Sequence, residues 1–244
     1  MESKGRRFVK ALYSLEAASL LRLAKRYYSY RVLSDVTGLP APVLARYIFG
    51  KTLPTPDRAR TILRRLMKLV DPRYILGQRL ADTGGIVDTS IVLTDPLYLK
   101  ATTLYFVEKL ADQKITKIIV PEASGIPLAT SLSLALEVPF IVARRKIATS
   151  LLQRTLCSDT EPSFCVQEDS IGRKDSVLIV DDIVETGATL ISIKSLIESI
   201  GANLVKVVAL VVIGEEWKKR TGIEDIETLI MIMRPTKRAR VPSL

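Results

Sequence analysis

A short apolar run, followed by two acidic residues and a glycine-containing loop, constrains the fold of this 244-residue chain more than any other feature. Residues 177–180 are four consecutive apolar residues, three of them β-branched, which is typical of a buried parallel strand. Asp181 and Asp182 follow at once, a helix is predicted over residues 191–200, and residues 205–213 predict the next strand. The order strand, loop, helix, strand predicts an α/β unit with a parallel sheet flanked by helices.

The loop between the predicted strand and helix carries groups that suit a phosphate monoester. A helix N-terminus offers unpaired N–H groups and a partial positive charge. Gly187 lets the backbone approach a ligand closely, and Thr186 and Thr189 add hydroxyl donors. Asp181 and Asp182 can accept hydrogen bonds from ribose hydroxyls or help to position a cation. A loop with incidental acidic residues is the alternative interpretation.

The segment VLIVDDIVETGATL resembles the phosphoribosyl-pyrophosphate (PRPP) signature of type I phosphoribosyltransferases. Residues 121–129, which follow a predicted strand at 117–120, resemble the pyrophosphate loop of the purine-type members. Residues 139–146 resemble the next strand of that family. The resemblance covers about residues 85–234 and implies the type I phosphoribosyltransferase fold, an α/β fold with a parallel sheet flanked by helices.

The resemblance also implies roles for individual residues. The 5′-phosphate would be held by one loop: Glu185, Thr186, Gly187, Ala188 and Thr189. Asp181 and Asp182 would face the ribose hydroxyls. The pyrophosphate would be wrapped by a second group: Ala123, Ser124 and Gly125, with Arg144 and Lys146 as candidate contacts. Mg²⁺ would be bound through the ligand's oxygens, with Asp181 and Asp182 as possible further ligands.

Three features of this region keep alternatives open. Glu185 stands where 6-oxopurine transferases have an aspartate that acts as a base, so it is either a catalytic base or a solvated loop acid. Trp217 either stacks on a purine base or is a hydrophobic anchor for the C-terminal tail. The mobile catalytic loop of the family should lie between Ala143 and Val177. Residues 147–154 in this stretch lack the loop motifs of the adenine and oxopurine enzymes and faintly resemble the xanthine type. Whether the chain catalyses phosphoribosyl transfer is therefore left open.

The positive charge of the chain is concentrated in its first third. Lys and Arg number 36 against 26 Asp and Glu, a net charge of +10. Residues 1–80 hold 17 basic and 5 acidic residues, whereas residues 81–244 hold 19 and 21. Such asymmetry indicates a nucleic-acid or acidic-surface partner, with a merely charged helical surface as the alternative. We expect a domain at residues 1–76, a linker at 77–90, a domain at 85–234 and a basic tail at 235–244.

The N-terminal region predicts a bundle of short helices. Helices are expected over residues 14–24, 30–37 and 41–49 and from Asp57 onward, with a break at residues 38–40. The pattern resembles the repressor/Cro-type helix-turn-helix, whose second helix enters the major groove of DNA. The resemblance implies six DNA-contacting residues: Pro42, Arg46, Tyr47, Lys51, Arg58 and Arg60. A purely structural or dimerising helical cap is the alternative.

Two functions fit these features. The main hypothesis is a DNA-binding transcriptional regulator of nucleotide metabolism, whose phosphoribosyltransferase-fold domain binds PRPP, a purine or a nucleotide as effector. The alternative is a purine phosphoribosyltransferase that transfers phosphoribose from PRPP to a purine base. The expected partners are double-stranded DNA, PRPP or a purine nucleotide, and a second copy of the chain in a homodimer.

Composition excludes several classes of site. The chain has no histidine, which removes Ser-His and Cys-His nucleophiles and His-ligated metals. No apolar run approaches the ~20 residues that a membrane span needs, and no signal-peptide core follows the N-terminus, so a cytoplasmic location is expected. Cys157 and Cys165 suit a reducing compartment and cannot form a metal cluster alone.

Overall fold

The computed structural model describes residues 4–82, 87–145 and 155–233. The chain divides into two compact units, Met1–Tyr105 and Phe106–Leu244. Lys146, residues 147–154 of the expected catalytic loop and the expected tail at 235–244 lie outside the described residues. The domain boundaries inferred from the sequence remain a prediction.

The first unit is helical. Its elements are α1 (Lys4–Ala24), α2 (Tyr30–Thr37), α3 (Ala41–Ile48), α4 (Pro56–Leu69), α5 (Pro72–Asp82), α6 (Ser90–Thr94) and α7 (Pro96–Lys109), which runs past the division at Tyr105. Across the part of the chain that is described, no helix has the length and apolarity to cross a membrane.

The helices of the first unit pack around a shared apolar core. α1 contacts α3 and α4, and the fully buried side chains include Leu20, Leu33, Leu44 and Leu66. The helix predicted at residues 30–37 is confirmed. The linker predicted at residues 77–90 is wrong in its first part, because α5 continues to Asp82.

The structure corrects one of the six residues implied for DNA contact. Tyr47 is 3% exposed, and its hydroxyl accepts a hydrogen bond from Nη1 of Arg58 at 3.1 Å, so its ring belongs to the core. The other five are exposed: Pro42, Arg46, Lys51, Arg58 and Arg60. The Arg60 guanidinium lies 5.1 Å from the ring centroid of Tyr13, a cation–π contact.

The second unit is built on a seven-stranded sheet. Its strands are β1 (Lys117–Pro121), β2 (Phe140–Arg145), β3 (Thr155–Cys157), β4 (Phe164–Gln167), β5 (Ser176–Val184), β6 (Asn203–Ile213) and β7 (Glu227–Ile232). Their order across the sheet is β3-β4-β2-β1-β5-β6-β7. β3 and β4 are antiparallel to their neighbours, and the remaining strands pair in parallel. Its helices are α8 (Ile126–Leu136), α9 (Ala188–Ile200) and α10 (Glu216–Thr221).

The strand order places a switch point between β1 and β5. From β1 the chain passes through α8 to β2 on one side, and from β5 it passes through α9 to β6 on the other. In open parallel sheets, ligands bind in the crevice outside the carboxyl ends of the strands at such a point. The pairing of β1 with β5 ends at Ile119 and Ile179, which are two residues before the end of β1 and five residues before the end of β5.

The two cysteines are joined, which corrects the expectation of reduced thiols. β3 and β4 pair in antiparallel register with Cys157 opposite Cys165, and a disulfide bond links them. Directly opposed residues point to the same face of a sheet, so the strand pairing brings the two sulfur atoms together.

Candidate active site

The phosphate loop follows a strand that is longer than predicted. β5 continues to Val184, because Asp181 pairs with Ala209 and Ile183 with Val211 on β6. The carboxylates Asp181 and Asp182 therefore belong to the strand itself. α9 then begins at Ala188 with Gly187 as its N-cap residue, at φ +77°, in the left-handed region that favours glycine.

A cavity of about 170 Å³ opens at this loop. It is lined by the end of β5 and the start of α9: Asp181, Ile183, Val184, Glu185, Thr186, Gly187, Ala188, Thr189 and Leu190. A water molecule occupies ~30 Å³ in the liquid, whereas whole small-ligand sites run to roughly 300 Å³ and more. The cavity is thus sized for one end of a ligand, and it contains all five residues implied for the 5′-phosphate.

The two strand-end carboxylates differ in accessibility. Asp181 is 7% exposed, and burial, together with the neighbouring Asp182 charge, raises its pKa to about 8. The backbone N–H of Asp182 donates to Oδ1 of Asp181 at 2.9 Å. Asp182 itself is half-buried. At neutral pH Asp181 is therefore mostly protonated and able to donate a hydrogen bond.

The second loop follows β1 and is fixed to β2. The N–H of Glu122 donates to the Ala143 carbonyl at 2.9 Å, and Oε1 of Glu122 accepts from the Arg145 N–H at 2.8 Å. Ala123 and Ser124 are exposed beyond this anchor, where a ligand can reach them. The Glu122–Ala123 peptide bond is cis.

Gly125 brings the two loops together. It is buried, and a Cβ atom built on it would lie 3.1 Å from Cγ2 of Val120 and 3.3 Å from Cα of Asp181. Its φ of −73° is open to any residue, so the need for glycine here is steric. The implied pyrophosphate loop and the first of the implied ribose carboxylates therefore meet at the carboxyl ends of β1 and β5.

Comparison with known proteins identifies this arrangement. Residues 90–237 match the model of the phosphoribosyl transferase domain. The chain belongs to the phosphoribosyl transferase family. The mostly parallel sheet flanked by helices is the α/β fold expected from the resemblance.

The relatives and the solved structure described here are named for purine bases. The chain is 35% identical over 130 residues to a hypoxanthine/guanine phosphoribosyltransferase of Methanothermococcus okinawensis, covering 51% of this chain and 69% of the relative. It is 33% identical over 152 residues to a xanthine phosphoribosyltransferase of Brevibacillus brevis, covering 56% and 77%. Its fold resembles that of adenine phosphoribosyltransferase from Thermoanaerobacter pseudethanolicus, with a TM-score of 0.55, 27% identity, and coverage of 60% and 88%.

These relatives overturn the main hypothesis from the sequence. The prediction of a DNA-binding transcriptional regulator is wrong, because the matching proteins are named as phosphoribosyltransferases of hypoxanthine, guanine, xanthine and adenine. The hypothesis rested on the resemblance of the N-terminal helices to a helix-turn-helix and on the basic charge of the first third of the chain. Net surface charge indicates which ions a protein attracts, but it does not specify a partner.

Trp217 is not placed to stack on a purine base. Its side chain is 3% exposed within the core of the second unit, and its indole N–H donates to the Gly214 carbonyl at 3.0 Å. The alternative of a hydrophobic anchor for the C-terminal tail stays a prediction, because residues 235–244 lie outside the described residues. Trp217 fixes α10 to the sheet.

Three residues shape the site although their sequence pattern does not reveal them. Glu122 ties the loop after β1 to β2. On α10, Arg220 donates from Nη1 to the Thr186 carbonyl at 3.3 Å, and Thr221 lies against Gly187. Each contact joins segments that are more than 20 residues apart in the sequence. A local sequence pattern therefore cannot predict it.

The residues present fit Mg²⁺ only when a ligand supplies oxygens. Within the described ranges, no group of three or more acidic or cysteine side chains could hold a metal ion. Asp181 and Asp182 are adjacent hard oxygen donors at the cavity, and Mg²⁺ is commonly bound by one or two carboxylates plus substrate phosphates.

Proposed function

We propose that this protein is a purine phosphoribosyltransferase. It transfers the 5-phosphoribosyl group of PRPP to a ring nitrogen of a purine. The bond from C1′ of the ribose to the pyrophosphate oxygen breaks, and a bond from C1′ to the purine nitrogen forms. Pyrophosphate leaves with the bonding electron pair, and the proton of the purine nitrogen passes to a base.

One observation carries the proposal. The phosphate-loop cavity at the start of α9 and the loop after β1 meet at the switch point of the sheet, where Gly125 lies against Asp181. A ligand with phosphate groups at both ends of a ribose requires two anion-binding loops separated by acceptors for hydroxyl groups. This arrangement supplies them in that order.

Each group of residues then has a defined task. The backbone N–H groups and hydroxyls of residues 185–189 bind the 5′-phosphate at the helix N-terminus. Asp182 accepts a hydrogen bond from a ribose hydroxyl, and protonated Asp181 donates one. Residues 123–125 and Arg144 bind the pyrophosphate, whose negative charge grows as it leaves. Glu185 is exposed beside the cavity and is the candidate base for the purine proton.

Mg²⁺ carried on the oxygens of PRPP would neutralise charge on the leaving pyrophosphate. Asp182 would hold it directly or through water, and Asp181 would join as a ligand only on losing its proton, which the charge of the cation would favour. Their own task in the reaction is to orient the ribose.

The expected substrates are hypoxanthine, guanine or xanthine rather than adenine. The two sequence relatives described above are named for 6-oxopurines and are 35% and 33% identical, whereas the solved adenine enzyme described above is 27% identical. This choice belongs to the proposal.

Steady-state assays with the four purines test the proposed function. Purified full-length protein is mixed with Mg-PRPP and adenine, guanine, hypoxanthine or xanthine in turn, and pyrophosphate release is followed. We expect turnover with at least one 6-oxopurine. Absence of turnover with all four bases would overturn the proposal.

A matched pair of variants links turnover to the phosphate loop. Thr189→Val removes a hydroxyl from the cavity at nearly constant shape, and loss of a hydrogen bond to a charged group costs roughly 1.5 kcal/mol or more. We expect the KM for PRPP to rise about tenfold or more. Thr228→Val is the control, because its hydroxyl donates to the Leu210 and Ile230 carbonyls on the edge of the sheet.

The proposed assembly is a homodimer, as the family resemblance implies. Light scattering coupled to size-exclusion chromatography measures the mass directly, against 27.1 kDa for one chain.

A further inference from the structure

The short helix α10 lies against one peptide group of the phosphate loop. A Cβ atom built on Gly187 would lie 2.9 Å from Cγ2 of Thr221 and 3.0 Å from Cα of Trp217, which are one helical turn apart on α10. Between them in sequence, Arg220 extends from α10 to the carbonyl oxygen of Thr186 at 3.3 Å from Nη1. α10 therefore lies against both ends of the peptide group that joins Thr186 to Gly187. Arg220 contacts the Thr186 carbonyl, and Trp217 and Thr221 lie against Gly187.

The contact with Arg220 fixes which way this peptide group faces. A trans peptide is planar, so the carbonyl of Thr186 and the N–H of Gly187 point in opposite directions. The carbonyl accepts a hydrogen bond from the Arg220 guanidinium, so the N–H points away from that group. Of the described residues, those lining the cavity all belong to β5, the loop and α9, and Gly187 is one of them. The N–H of Gly187 is therefore the polar group of this peptide that can face a bound anion.

α10 is held firmly enough to serve as a support. Its Trp217 side chain is buried in the core, and Nζ of Lys194 on α9 donates to the Thr221 carbonyl at 2.7 Å. The backbone that carries Arg220 is thereby tied both to the sheet and to the helix that begins at the phosphate loop. Only the exposed side chain of Arg220 has to be ordered to make the contact.

We propose that Arg220 is a positioning residue for a phosphate monoester. By holding the Thr186 carbonyl against α10, it keeps the Gly187 N–H turned toward the bound phosphate. Without this contact the peptide can rotate, and a carbonyl oxygen turned toward the phosphate repels it. The proposal rests on the proposed function for its substrate, the 5′-phosphate of PRPP, while its geometry concerns the free loop.

A neighbouring lysine supplies the matched control. Arg220→Ala and Lys219→Ala each remove one positive charge from exposed positions of α10. We expect Arg220→Ala to raise the KM for PRPP about five- to tenfold, corresponding to one modest hydrogen bond, with kcat within about twofold of wild type. Lys219→Ala is expected to leave both constants within about twofold, and Arg220→Lys to recover part of the loss because it retains a donor.

The amide resonance of Gly187 reports the orientation directly. Full-length protein with ¹⁵N-labelled glycine is titrated with inorganic phosphate and, separately, with ribose 5-phosphate. In wild type and Lys219→Ala we expect the Gly187 amide proton to shift downfield on binding. In Arg220→Ala its resonance should already differ in the free protein, and the downfield shift should be lost.

The outcomes separate this proposal from the proposed function. Equal weakening by Arg220→Ala and Lys219→Ala would overturn it, because overall charge would then explain the effect. Weaker phosphate binding with an unmoved free-state Gly187 resonance would overturn it as well, since Arg220 would then touch the phosphate itself. Failure of wild type to bind phosphate at Gly187 would also reject it. If phosphate moves Gly187 as expected but no purine is turned over, the positioning role stands and the proposed function falls.

Discussion

Gly125 lies so close to Asp181 that a methyl group at residue 125 would stand 3.3 Å from the Asp181 Cα atom. The contact joins the loop after β1 to the end of β5, which are the two halves of the candidate active site. Both neighbours of this position, Asp181 and Val120, belong to buried strands of the sheet centre. The distance between the two loops therefore depends on the absence of a side chain.

The first prediction is that Gly125→Ala separates the two loops. The added methyl group overpacks a site that cannot easily yield, at a cost of about 1–3 kcal/mol in the free energy of unfolding. The KM for PRPP should rise, because the loops no longer bind both ends of one ligand. Gly77→Ala is the control, since among the described residues no heavy atom beyond its chain neighbours and its own helix backbone lies within 4 Å of its Cβ position, and alanine favours the helix α5. If both variants were as stable and as active as wild type, the close approach would have no consequence.

The second prediction concerns the pH dependence of stability. The pKa of Asp181 is raised from 3.8 to about 8 in the folded protein, chiefly by burial and next by the charge of Asp182. Between about pH 4 and pH 8 the folded state therefore binds more protons at this site than the unfolded state does. Stability must then fall as pH rises through this window, by up to about 1.4 kcal/mol per pH unit, and level off above it.

Asp181→Asn should remove the contribution of Asp181 to the pH dependence of stability, because asparagine does not titrate. Urea unfolding at pH 5, 7 and 8.5 should show a smaller loss of stability for the variant than for wild type. Asp112→Asn, at an exposed carboxylate after α7, should keep the wild-type profile. Parallel profiles for wild type and Asp181→Asn would show that the pKa of Asp181 is not raised.

The third prediction compares the two glycines that cap α9. Gly187 and Gly201 have φ angles of +77° and +79°, so alanine imposes the same backbone strain of about 1–2 kcal/mol at either end. At Gly201 the nearest atom to the new Cβ is Cγ of Arg173 at 3.5 Å, an ordinary contact, whereas at Gly187 it is Cγ2 of Thr221 at 2.9 Å. Gly187→Ala must therefore also displace α10.

We expect Gly187→Ala to lose more stability than Gly201→Ala in urea unfolding. It should also raise the KM for PRPP by more than tenfold, while Gly201→Ala leaves that constant near wild type. Equal effects of the two variants on stability and on KM would mean that α10 does not press on the phosphate loop.

Local patterns account for what the sequence could predict. The apolar runs that became β5 and β6 and the helix α9 between them lie where their periodicity placed them, and the five residues implied for the 5′-phosphate line one cavity. The features that the sequence did not predict depend on burial and on packing between distant segments. Whether Trp217 stacks on a ligand or fills the core depends on what surrounds it, and the contact of Arg220 with Thr186 joins residues 34 positions apart.

The last prediction concerns the disulfide between Cys157 and Cys165, which the composition alone did not suggest. The two residues are 8 positions apart, and closing a loop of this length in the unfolded chain is worth about 2–3 kcal/mol of stability. Wild type should therefore unfold at a lower urea concentration in the presence of dithiothreitol. A protein carrying both Cys157→Ser and Cys165→Ser should unfold at that lower midpoint whether or not the reductant is present. Detection of two free thiols in denatured wild type under non-reducing conditions, or a wild-type midpoint unaffected by the reductant, would show that the strand pairing leaves these cysteines unbonded.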